Sequence, residues 1–306
     1  MNLNKLCLSL VVGLCLVGCE QHQQNPSNDS ISKQIIVTDF TGKQVQLAQP
    51  AQKIVALAPH VVENIFSAGA GDQLVGVFEW SNYPEQAKSI EIVGGYEKTN
   101  YEKIIELNPD LIIAWETGNS SSSVGRLTQL GFTIYIDQPN NLEDIAKSIR
   151  DIGTLSGHSK IANSVANNYL QELAKYKFAY RDAVKVTTFY QVWNSPLQSI
   201  NGSHIISDVI ETCGGTNIYA DEYAVAPIIN IESILERNPK AIIASGVSDA
   251  RPEWLDEWLQ WPSLTAVQQG NLFFVNPDHL QRHTVRLLLG IQKTCRQLDL
   301  ARAKIN

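Results

Sequence analysis

The chain contains one segment twice, and this repeat constrains the fold more than any other feature of the sequence. Residues 101–114 read YEKIIELNPDLIIA and residues 231–244 read IESILERNPKAIIA, with eight identities at a constant offset of 130. Each copy joins an amphipathic helical pattern to an Asn-Pro stop and to a short apolar run, which is typical of a strand buried on both faces. The repeat therefore predicts two similar halves.

A long helix is predicted between the two halves, from about His158 to Asp182. Apolar residues recur there at steps of three and four, which places them on one side of a helix: Ile161, Val165, Tyr169, Leu173, Tyr176 and Tyr180. Ser156 or Ser159 can serve as the N-cap. A helix of roughly 25 residues reaches about 37 Å, which is long enough to cross a domain.

The fold class that follows is α/β, with two α/β sandwich lobes joined by one long rigid helix. Strands alternate with helices on both sides of that helix, which indicates a parallel sheet in each lobe. A chain of 306 residues with 44% hydrophobic composition can bury two such cores. The predicted segments are a lipoprotein signal peptide at 1–19, a flexible tether at 20–34, an N-terminal lobe at 35–156, the linking helix at 157–183 and a C-terminal lobe at 184–306.

The first residues predict export. Lys5 is followed by the apolar run Leu6–Val17, which has the length of a signal peptide and is too short to span a bilayer. The run ends in Leu16-Val17-Gly18-Cys19, a match to the bacterial lipoprotein box in which the cysteine is lipidated and becomes the first mature residue. We therefore expect a periplasmic, membrane-anchored lipoprotein, with ordinary secretion as the alternative. The polar tether that follows cannot form a core.

Two cysteines, Cys213 and Cys295, remain after the signal peptide and the lipidation site are set aside. In an exported protein two cysteines indicate one disulfide, and two buried thiols are the alternative. The net charge of -7 argues against nucleic acid as a partner, because binding to phosphate backbones depends on clustered lysine and arginine.

The motifs of common enzymes are missing from the sequence, which shows no nucleophile elbow, no phosphate-binding glycine loop and no HExxH motif. His279 and His283 lie four residues apart and could bind a metal from one helix face, but no third ligand is evident. The sequence therefore predicts a protein that is not an enzyme. A metal-dependent hydrolase that uses these histidines and an acid is the alternative.

Aromatic residues give the strongest indication of a site. Trp80, Tyr96, Trp115 and Trp193 fall at the carboxyl ends of predicted strands or in the loops just after them, where open α/β sheets bind ligands. Such rings on two pseudo-equivalent edges would form the facing walls of a cleft for a large flat ligand. Core packing is the alternative interpretation.

Two acids, Glu102 and Glu232, occupy the same place in the two repeats, at the starts of helices. Stabilisation of the helix N-terminus explains them. One carboxylate per lobe would also suit docking against a two-fold symmetric basic partner.

The segments KIVALAP, LVGVFEWSNYP, YEKIIELNPDLIIAW and VIETCGGTNIY together resemble the periplasmic substrate-binding proteins of the cobalamin and iron-siderophore type, and within that family its cobalamin-binding members. The similarity covers about Lys53 to Leu298. It implies two lobes joined by a rigid helix, a cobalamin or related corrinoid carried in the cleft as transported ligand, and no cofactor. It also implies a monomer that delivers the ligand to the permease dimer of an ABC importer. A ferric siderophore or haem is the alternative ligand.

The resemblance also implies roles for particular residues. Trp80 would contact the ligand, Cys213 would pair with Cys295, and Glu102 and Glu232 would meet arginines on the membrane subunits. A contact loop from the second lobe would complete the cleft beside Pro59 and His60; it comprises Asp278, His279, Leu280, Gln281 and Arg282.

Charge favours cobalamin over a siderophore as the expected ligand. A ferric catecholate siderophore is anionic and needs several basic residues in the cleft, where the sequence offers Arg282 and Arg251. Cobalamin needs rings, apolar contacts and hydrogen bonds to amides, with no charged clamp.

Overall fold

The computed structural model describes residues 34–246 and 249–305. The predicted signal peptide, the lipidation residue Cys19 and the tether up to residue 33 lie outside the described residues. Within the described part of the chain, no helix combines the length and the apolar character that crossing a membrane requires.

The N-terminal lobe begins with an antiparallel hairpin and continues as alternating strands and helices. Its elements are β1 (Ile35–Thr38), β2 (Gln44–Leu47), β3 (Ile54–Ala56), α1 (Pro59–Ser67), β4 (Leu74–Val77), α2 (Tyr101–Leu107), β5 (Leu111–Trp115), α3 (Ser121–Gln129), β6 (Ile134–Asp137) and α4 (Asp144–Ser156). Short 3-10 turns at Gly71–Gln73 and Glu85–Ser89 flank β4.

The linking helix α5 (Ser159–Tyr180) leads to the C-terminal lobe. The elements of that lobe are β7 (Val186–Gln191), β8 (Trp193–Asn194), β9 (Leu197–Gln198), α6 (Ile205–Thr212), β10 (Gly215–Asn217), α7 (Ile231–Arg237), β11 (Ala241–Ala244), a 3-10 segment (Glu253–Gln260), α8 (Thr265–Gln268), β12 (Leu272–Phe274), α9 (Pro277–Leu280) and α10 (Leu287–Arg302). The exact lobe boundaries at residues 156 and 184 stay a prediction.

The two lobes have the same sheet topology. The strand order is β4-β3-β5-β6 in one and β10-β7-β11-β12 in the other, and every neighbouring pair in both sheets is parallel. The first strand of each parallel sheet, β3 or β7, therefore lies between the second and third strands of that sheet, so each sheet has a switch point beside it. This confirms the α/β class and the two similar halves. It also predicts where a ligand binds, because parallel sheets bind at the carboxyl ends of the strands flanking the switch point.

The duplicated segments form equivalent helix–strand units. Asn100 and Asn230 are the N-caps of α2 and α7, and their side chains accept from the backbone N–H groups of Lys103 and Ser233. Both helices end at an asparagine in the left-handed conformation, with φ of 47° at Asn108 and 39° at Asn238. Asparagine tolerates this conformation better than other residues with a side chain, so the Asn-Pro pair ends the helix as predicted.

The linking helix is shorter than predicted, and its buried face differs from the predicted one at Ile161. Its 22 residues span about 33 Å. Neither predicted cap is correct, because Ser156 ends α4, Ser159 is already helical, and His158 is the N-cap without a side-chain bond.

Five of the six residues predicted on the inner face of α5 are buried or pack against the core, whereas Ile161 is exposed and Ala162 and Ala166 are buried instead. Close approach of the neighbouring helix explains the difference. A Cβ placed on Gly153 of α4 would lie 2.2 Å from the Cβ of Ala162, so the two helices pack with almost no side chain between them.

A shared core and a disulfide hold the structure together. The largest buried apolar cluster includes residues of both lobes and of the linking helix, such as Ile149, Ala162 and Leu287. Cys213, at the end of α6, is bonded to Cys295 of α10, with a Cα–Cα distance of 4.6 Å. The last helix begins at Leu287. The five residues before it cross to the N-terminal lobe and are held there by the contacts described below.

Candidate functional site: a cavity between the lobes

A cavity of about 470 Å³ lies between the lobes at the carboxyl ends of the strands. The N-terminal lobe contributes the ends of β5 and β6, and the C-terminal lobe contributes the start of α6 and two loops. The lining residues are Trp115, Thr117, Gln138, Pro139, Asn140, Ser203, His204, Ile205, Val225, Ala226 and His283. They combine an indole, two imidazoles, amides, hydroxyls and aliphatic groups. None of these eleven described residues has a carboxylate, an ammonium or a guanidinium group.

Trp115 is the last residue of β5, and the turn after it fixes the indole. The Trp115 backbone N–H donates to Asn119 Oδ1 at 2.7 Å, and Asn119 Nδ2 donates to the carbonyl of Leu57 at 2.9 Å. The turn needs glycine at position 118, because a Cβ there would lie 1.8 Å from the Trp115 ring. The turn therefore holds the indole against the cavity.

Three histidines meet beside Trp115. The His60 and His283 ring centroids are 5.6 Å apart, those of His204 and His283 are 6.2 Å apart, and His60 lies edge-on to Trp115 at 5.0 Å. His60 lies in the first turn of α1, just after β3, and His204 precedes α6 at the corresponding place in the C-terminal lobe. His204 and His283 line the cavity, whereas His60 lies behind Trp115 with its Nε2 3.4 Å from Asp137 Oδ2.

Burial keeps the cavity histidines neutral. It lowers the pKa of His204 to about 4 and holds the pKa of His283 well below its usual range, where charge on His60 or His204 would lower it further. His204 Nδ1 accepts from the backbone N–H of Ile206 at 3.2 Å, because it caps α6. The proton of the neutral ring is therefore on Nε2, which makes His204 a hydrogen-bond donor rather than a metal ligand.

The depressed pKa of His204 predicts a loss of stability in acid. The ring stays neutral in the folded protein but takes up a proton on unfolding below about pH 6.5. This proton uptake lowers the free energy of unfolding. The loss is absent above that pH and grows as the pH falls towards 4. At pH 5 we expect proton uptake to lower the free energy of unfolding by about 2 kcal/mol.

His204→Asn isolates this effect, because asparagine still caps the helix but does not titrate. Urea unfolding at pH 7 and pH 5 should show a smaller pH-dependent loss in the variant than in the wild type. Equal losses in the two proteins would contradict the assignment.

His279 and His283, which the hydrolase alternative would use as metal ligands, have different surroundings. His283 is buried beside the other two cavity histidines, whereas His279 is partly buried on α9, where burial and nearby Arg286 lower its pKa. Among the described residues, no group of three or more His, Cys, Asp or Glu side chains is arranged to hold a metal ion. The geometry gives no support to the hydrolase alternative.

The side chains of the predicted contact loop, residues 278–282, differ from one another in what they contact. Leu280 belongs to the buried core, so its side chain faces away from a ligand. Gln281 Nε2 donates to the Tyr190 hydroxyl at 3.4 Å. Asp278 Oδ1 pairs with Arg282 Nη2 at 2.9 Å.

Arg282 reaches across to the N-terminal lobe. Its Nη1 lies 2.8 Å from both Glu63 Oε1 and Asn82 Oδ1, and its Nη2 donates to the carbonyl of Trp80 at 3.2 Å. Arg251, the other basic candidate, pairs with Asp256 at 2.6 Å. Both arginines already have acidic partners, which leaves neither as a free cation for an anionic ligand.

The four predicted aromatic residues do not form one continuous wall. All four lie in the described part of the chain; Trp115 lines the cavity, and Trp80, Tyr96 and Trp193 are exposed outside its lining. Trp193 lies in the β8–β9 hairpin, where its Nε1 donates to the carbonyl of Ser195 at 3.0 Å. Pro59 begins α1 and is partly buried. A role for these exposed rings in ligand contact stays a prediction.

The two repeat acids are exposed in the first turns of α2 and α7. Glu102 borders a surface depression of about 710 Å³ and Glu232 one of about 370 Å³. Neither carboxylate has a hydrogen bond or ion pair with another of the described residues 34–246 and 249–305. Both are therefore available to a partner.

A cross-lobe ion network was not predicted from the sequence. Glu63 of α1 is 2% exposed, and its carboxylate accepts from Arg282, Thr284 and Arg286 at 2.8, 3.1 and 3.0 Å. We call Glu63, Asp278, Arg282, Thr284 and Arg286 the Glu63 clasp. The sequence contains two local signs of it, the pair Glu63-Asn64 within the mostly apolar α1 and two arginines spaced four apart, but neither sign shows that they meet.

Two α/β lobes with equivalent sheets, a linking helix and a cavity at the switch points define a protein that binds a ligand between lobes. The chain belongs to the periplasmic binding protein family, whose family model matches residues 54–279. This confirms the resemblance noted in the sequence.

Relatives in the family include vitamin B12-binding proteins. The chain is 37% identical over 253 residues to the vitamin B12-binding protein of Vibrio cholerae serotype O1, which covers 82% of this chain and 91% of that protein. It is 32% identical over 251 residues to the vitamin B12-binding protein of Yersinia pestis, covering 82% and 88%.

Solved structures of periplasmic binding proteins match the fold of this chain. The crystal structure of the periplasmic vitamin B12 binding protein of Vibrio cholerae matches with a TM-score of 0.77 and 36% identity, covering 83% of this chain and 99% of that one. A periplasmic haem-binding protein from a Roseiflexus species has the same fold, with a TM-score of 0.71 at 22% identity and coverage of 82% and 99%.

Proposed function

We propose that this protein captures cobalamin, or a related corrinoid, in the cavity between its lobes and delivers it to the permease of an ABC importer in the membrane. The observation that carries the proposal is the uncharged lining of the cavity. Cobalamin presents a flat corrin ring and many neutral amides, which match an indole, donor and acceptor side chains and aliphatic groups. The relatives named as vitamin B12-binding proteins support the same ligand.

In this proposal the cavity holds part of the ligand and the rim holds the rest. A corrinoid is larger than 470 Å³, so it would extend outwards from the cavity. Trp80, Tyr96 and Trp193 expose their rings and are the candidates for that outer contact. His204 Nε2–H is a donor suited to the carbonyl of a corrin amide.

Haem is the second candidate, because two imidazoles line the cavity and a haem-binding protein shares the fold. Two observations disfavour it. The neutral His204 ring carries its proton on Nε2, which is the nitrogen that would have to coordinate the haem iron. The haem propionates and the ligand groups of ferric siderophores are anionic, and the cavity lining offers them no cation.

Titration of the intrinsic tryptophan fluorescence tests the proposal. Cyanocobalamin, haem and a ferric catecholate siderophore are added separately to the purified protein. We expect saturable binding of cyanocobalamin at a lower concentration than the other two. Tighter binding of haem or of the siderophore would overturn the corrinoid assignment.

Docking to the permease is proposed for Glu102 and Glu232. Reversing both charges, with Glu102→Arg and Glu232→Arg, should leave the affinity for cyanocobalamin unchanged, because both residues lie outside the cavity lining. Binding to permease in proteoliposomes should weaken at least about tenfold, since attraction to basic residues becomes repulsion.

A control variant with Glu172→Arg and Asp182→Arg makes the same kind of change at two other exposed acids. It should dock like the wild type. Equal weakening in the control would mean that net charge, rather than these two positions, determines docking.

The lipid anchor at Cys19 and the monomeric state are parts of the same proposal. Cys19→Ser should move the protein from the membrane to the soluble fraction of cells. Recovery of the variant in the membrane would argue against the anchor.

A further inference from the structure

Trp80 holds an exposed indole on a backbone that a tryptophan rarely adopts. Its φ is 66°, in the left-handed region, and its side chain is 80% exposed. No hydrogen bond or ring contact joins the indole to another residue within 34–246 or 249–305. The backbone therefore sets the direction in which the Trp80 side chain leaves the chain, and such a conformation persists only where the surroundings enforce it.

Contacts from its own loop and from the other lobe surround this backbone, and within the loop the Asn82 N–H donates to the Trp80 carbonyl at 3.0 Å. We call residues Trp80–Pro84 the Trp80 loop. Arg282 Nη2 donates to the Trp80 carbonyl at 3.2 Å, and Arg282 Nη1 donates to Asn82 Oδ1 at 2.8 Å. The Arg286 guanidinium lies 4.0 Å from the centre of the Tyr83 ring. Trp80, Asn82 and Tyr83 thus each contact one of two arginines from the C-terminal lobe.

Within the Glu63 clasp, the two carboxylates hold the two arginines in place. The Glu63 carboxylate pairs with Arg282 at 2.8 Å and with Arg286 at 3.0 Å, and Asp278 pairs with Arg282 at 2.9 Å. The side chains of both arginines are less than one-fifth exposed, and their charges are balanced by two carboxylates. A guanidinium is planar and holds several acceptors in a fixed geometry, which a lysine ammonium cannot reproduce.

We infer that Arg282 is a positioning residue that holds the Trp80 loop in the left-handed conformation and so presents the Trp80 indole to the ligand. Its effect on binding passes through Trp80 rather than through direct contact with the ligand. The inference rests on the proposed function in taking cobalamin as the ligand of this site.

The alternative is that Arg282 contacts the ligand itself. Its bonds to Glu63, Asp278, Asn82 and the Trp80 carbonyl argue against this. Contact with a ligand would require the guanidinium to give up bonds that hold the two lobes together.

A double-mutant cycle between Arg282→Lys and Trp80→Ala tests the inference. Lysine keeps the charge opposite Glu63 but cannot also reach the Trp80 carbonyl. We expect Arg282→Lys to weaken cyanocobalamin binding roughly tenfold in the wild-type background and less than about twofold in the Trp80→Ala background. Equal weakening in both backgrounds would overturn the inference.

Fluorine NMR gives a readout that does not depend on the ligand. The protein is labelled with 5-fluorotryptophan at its six tryptophans, and Trp80→Phe identifies the resonance of position 80. Arg282→Lys should shift or split that resonance and leave the other five in place. Movement of all six, or an unmoved Trp80 resonance, would overturn the inference.

Arg251→Lys is the matched control, since Arg251 pairs with Asp256 on the surface. It should leave both the affinity and the Trp80 resonance unchanged; the same effect as Arg282→Lys would overturn the inference. If the wild type does not bind cyanocobalamin, the proposed function is wrong, and the fluorine resonance still decides whether Arg282 positions Trp80.

Discussion

Replacing Ala226 by arginine is expected to weaken the binding of cyanocobalamin at least about 100-fold, because the new charge loses its hydration when the ligand covers it. Ala226 lines the cavity and is itself exposed, so a longer side chain can be accommodated without disturbing the fold. The arginine fills part of the cavity and finds no carboxylate among the residues that line it. Isothermal titration calorimetry measures the loss.

The control for this variant is Tyr223→Arg. Tyr223 lies three residues earlier in the same loop, is fully exposed and is not among the cavity-lining residues. Tyr223→Arg adds the same charge outside the proposed site and should bind cyanocobalamin like the wild type. If Ala226→Arg binds as tightly as Tyr223→Arg, the ligand does not occupy this cavity.

The second large effect concerns the disulfide. Replacing both Cys213 and Cys295 by alanine should lower the free energy of unfolding by about 4 kcal/mol, because the closed loop restricts the unfolded chain. The bond joins residues 82 apart, and both cysteines are buried in the core that contains residues of both lobes. Urea unfolding of the oxidised wild type and of the double variant gives the difference.

Two comparisons show whether the effect belongs to the bond. Reduction of the wild type should give most of the same loss, whereas a reductant should not affect the double variant. A double variant that unfolds at the same urea concentration as the oxidised wild type would contradict the stabilising role. Cyanocobalamin affinity at low temperature should change little, because neither cysteine lines the cavity.

Local sequence patterns were enough to predict the architecture. The repeat at Tyr101 and Ile231 identified two equivalent helix–strand units, because its apolar spacing and Asn-Pro stop are local signals. Strands alternating with helices then required parallel sheets. Ligands bind at the carboxyl ends of such strands, which placed Trp115 at the site, whereas the strand order and the switch points are known only from the structure.

Features that depend on three-dimensional packing were not predicted. The face that α5 buries is set by its close contact with Gly153 of α4, so Ile161 was wrongly expected inside and Ala162 was overlooked. Ile161 fits the helical spacing better than Ala162, and spacing alone cannot show which neighbour comes close.

The cavity itself was predicted only in part. Trp115 lines it, but Val225, Ala226 and the amides of Gln138 and Asn140 come from loops that have no periodic pattern. The Glu63 clasp joins residues 219 to 223 positions apart, and no local signal pairs them. The resemblance implied that Arg282 belongs to a ligand-contact loop, and that stays a prediction; its bonds to Glu63, Asn82 and the Trp80 carbonyl were not foreseen.

Hydrogen–deuterium exchange with and without cyanocobalamin is the most direct test of the claim that one corrinoid is held between the two lobes. We predict slower exchange in segments that line the cavity from both sides, namely residues 115–119 and 138–142 in one lobe and 202–206 and 223–227 in the other. Protection confined to one lobe, or no protection with cyanocobalamin while haem protects these segments, would contradict it.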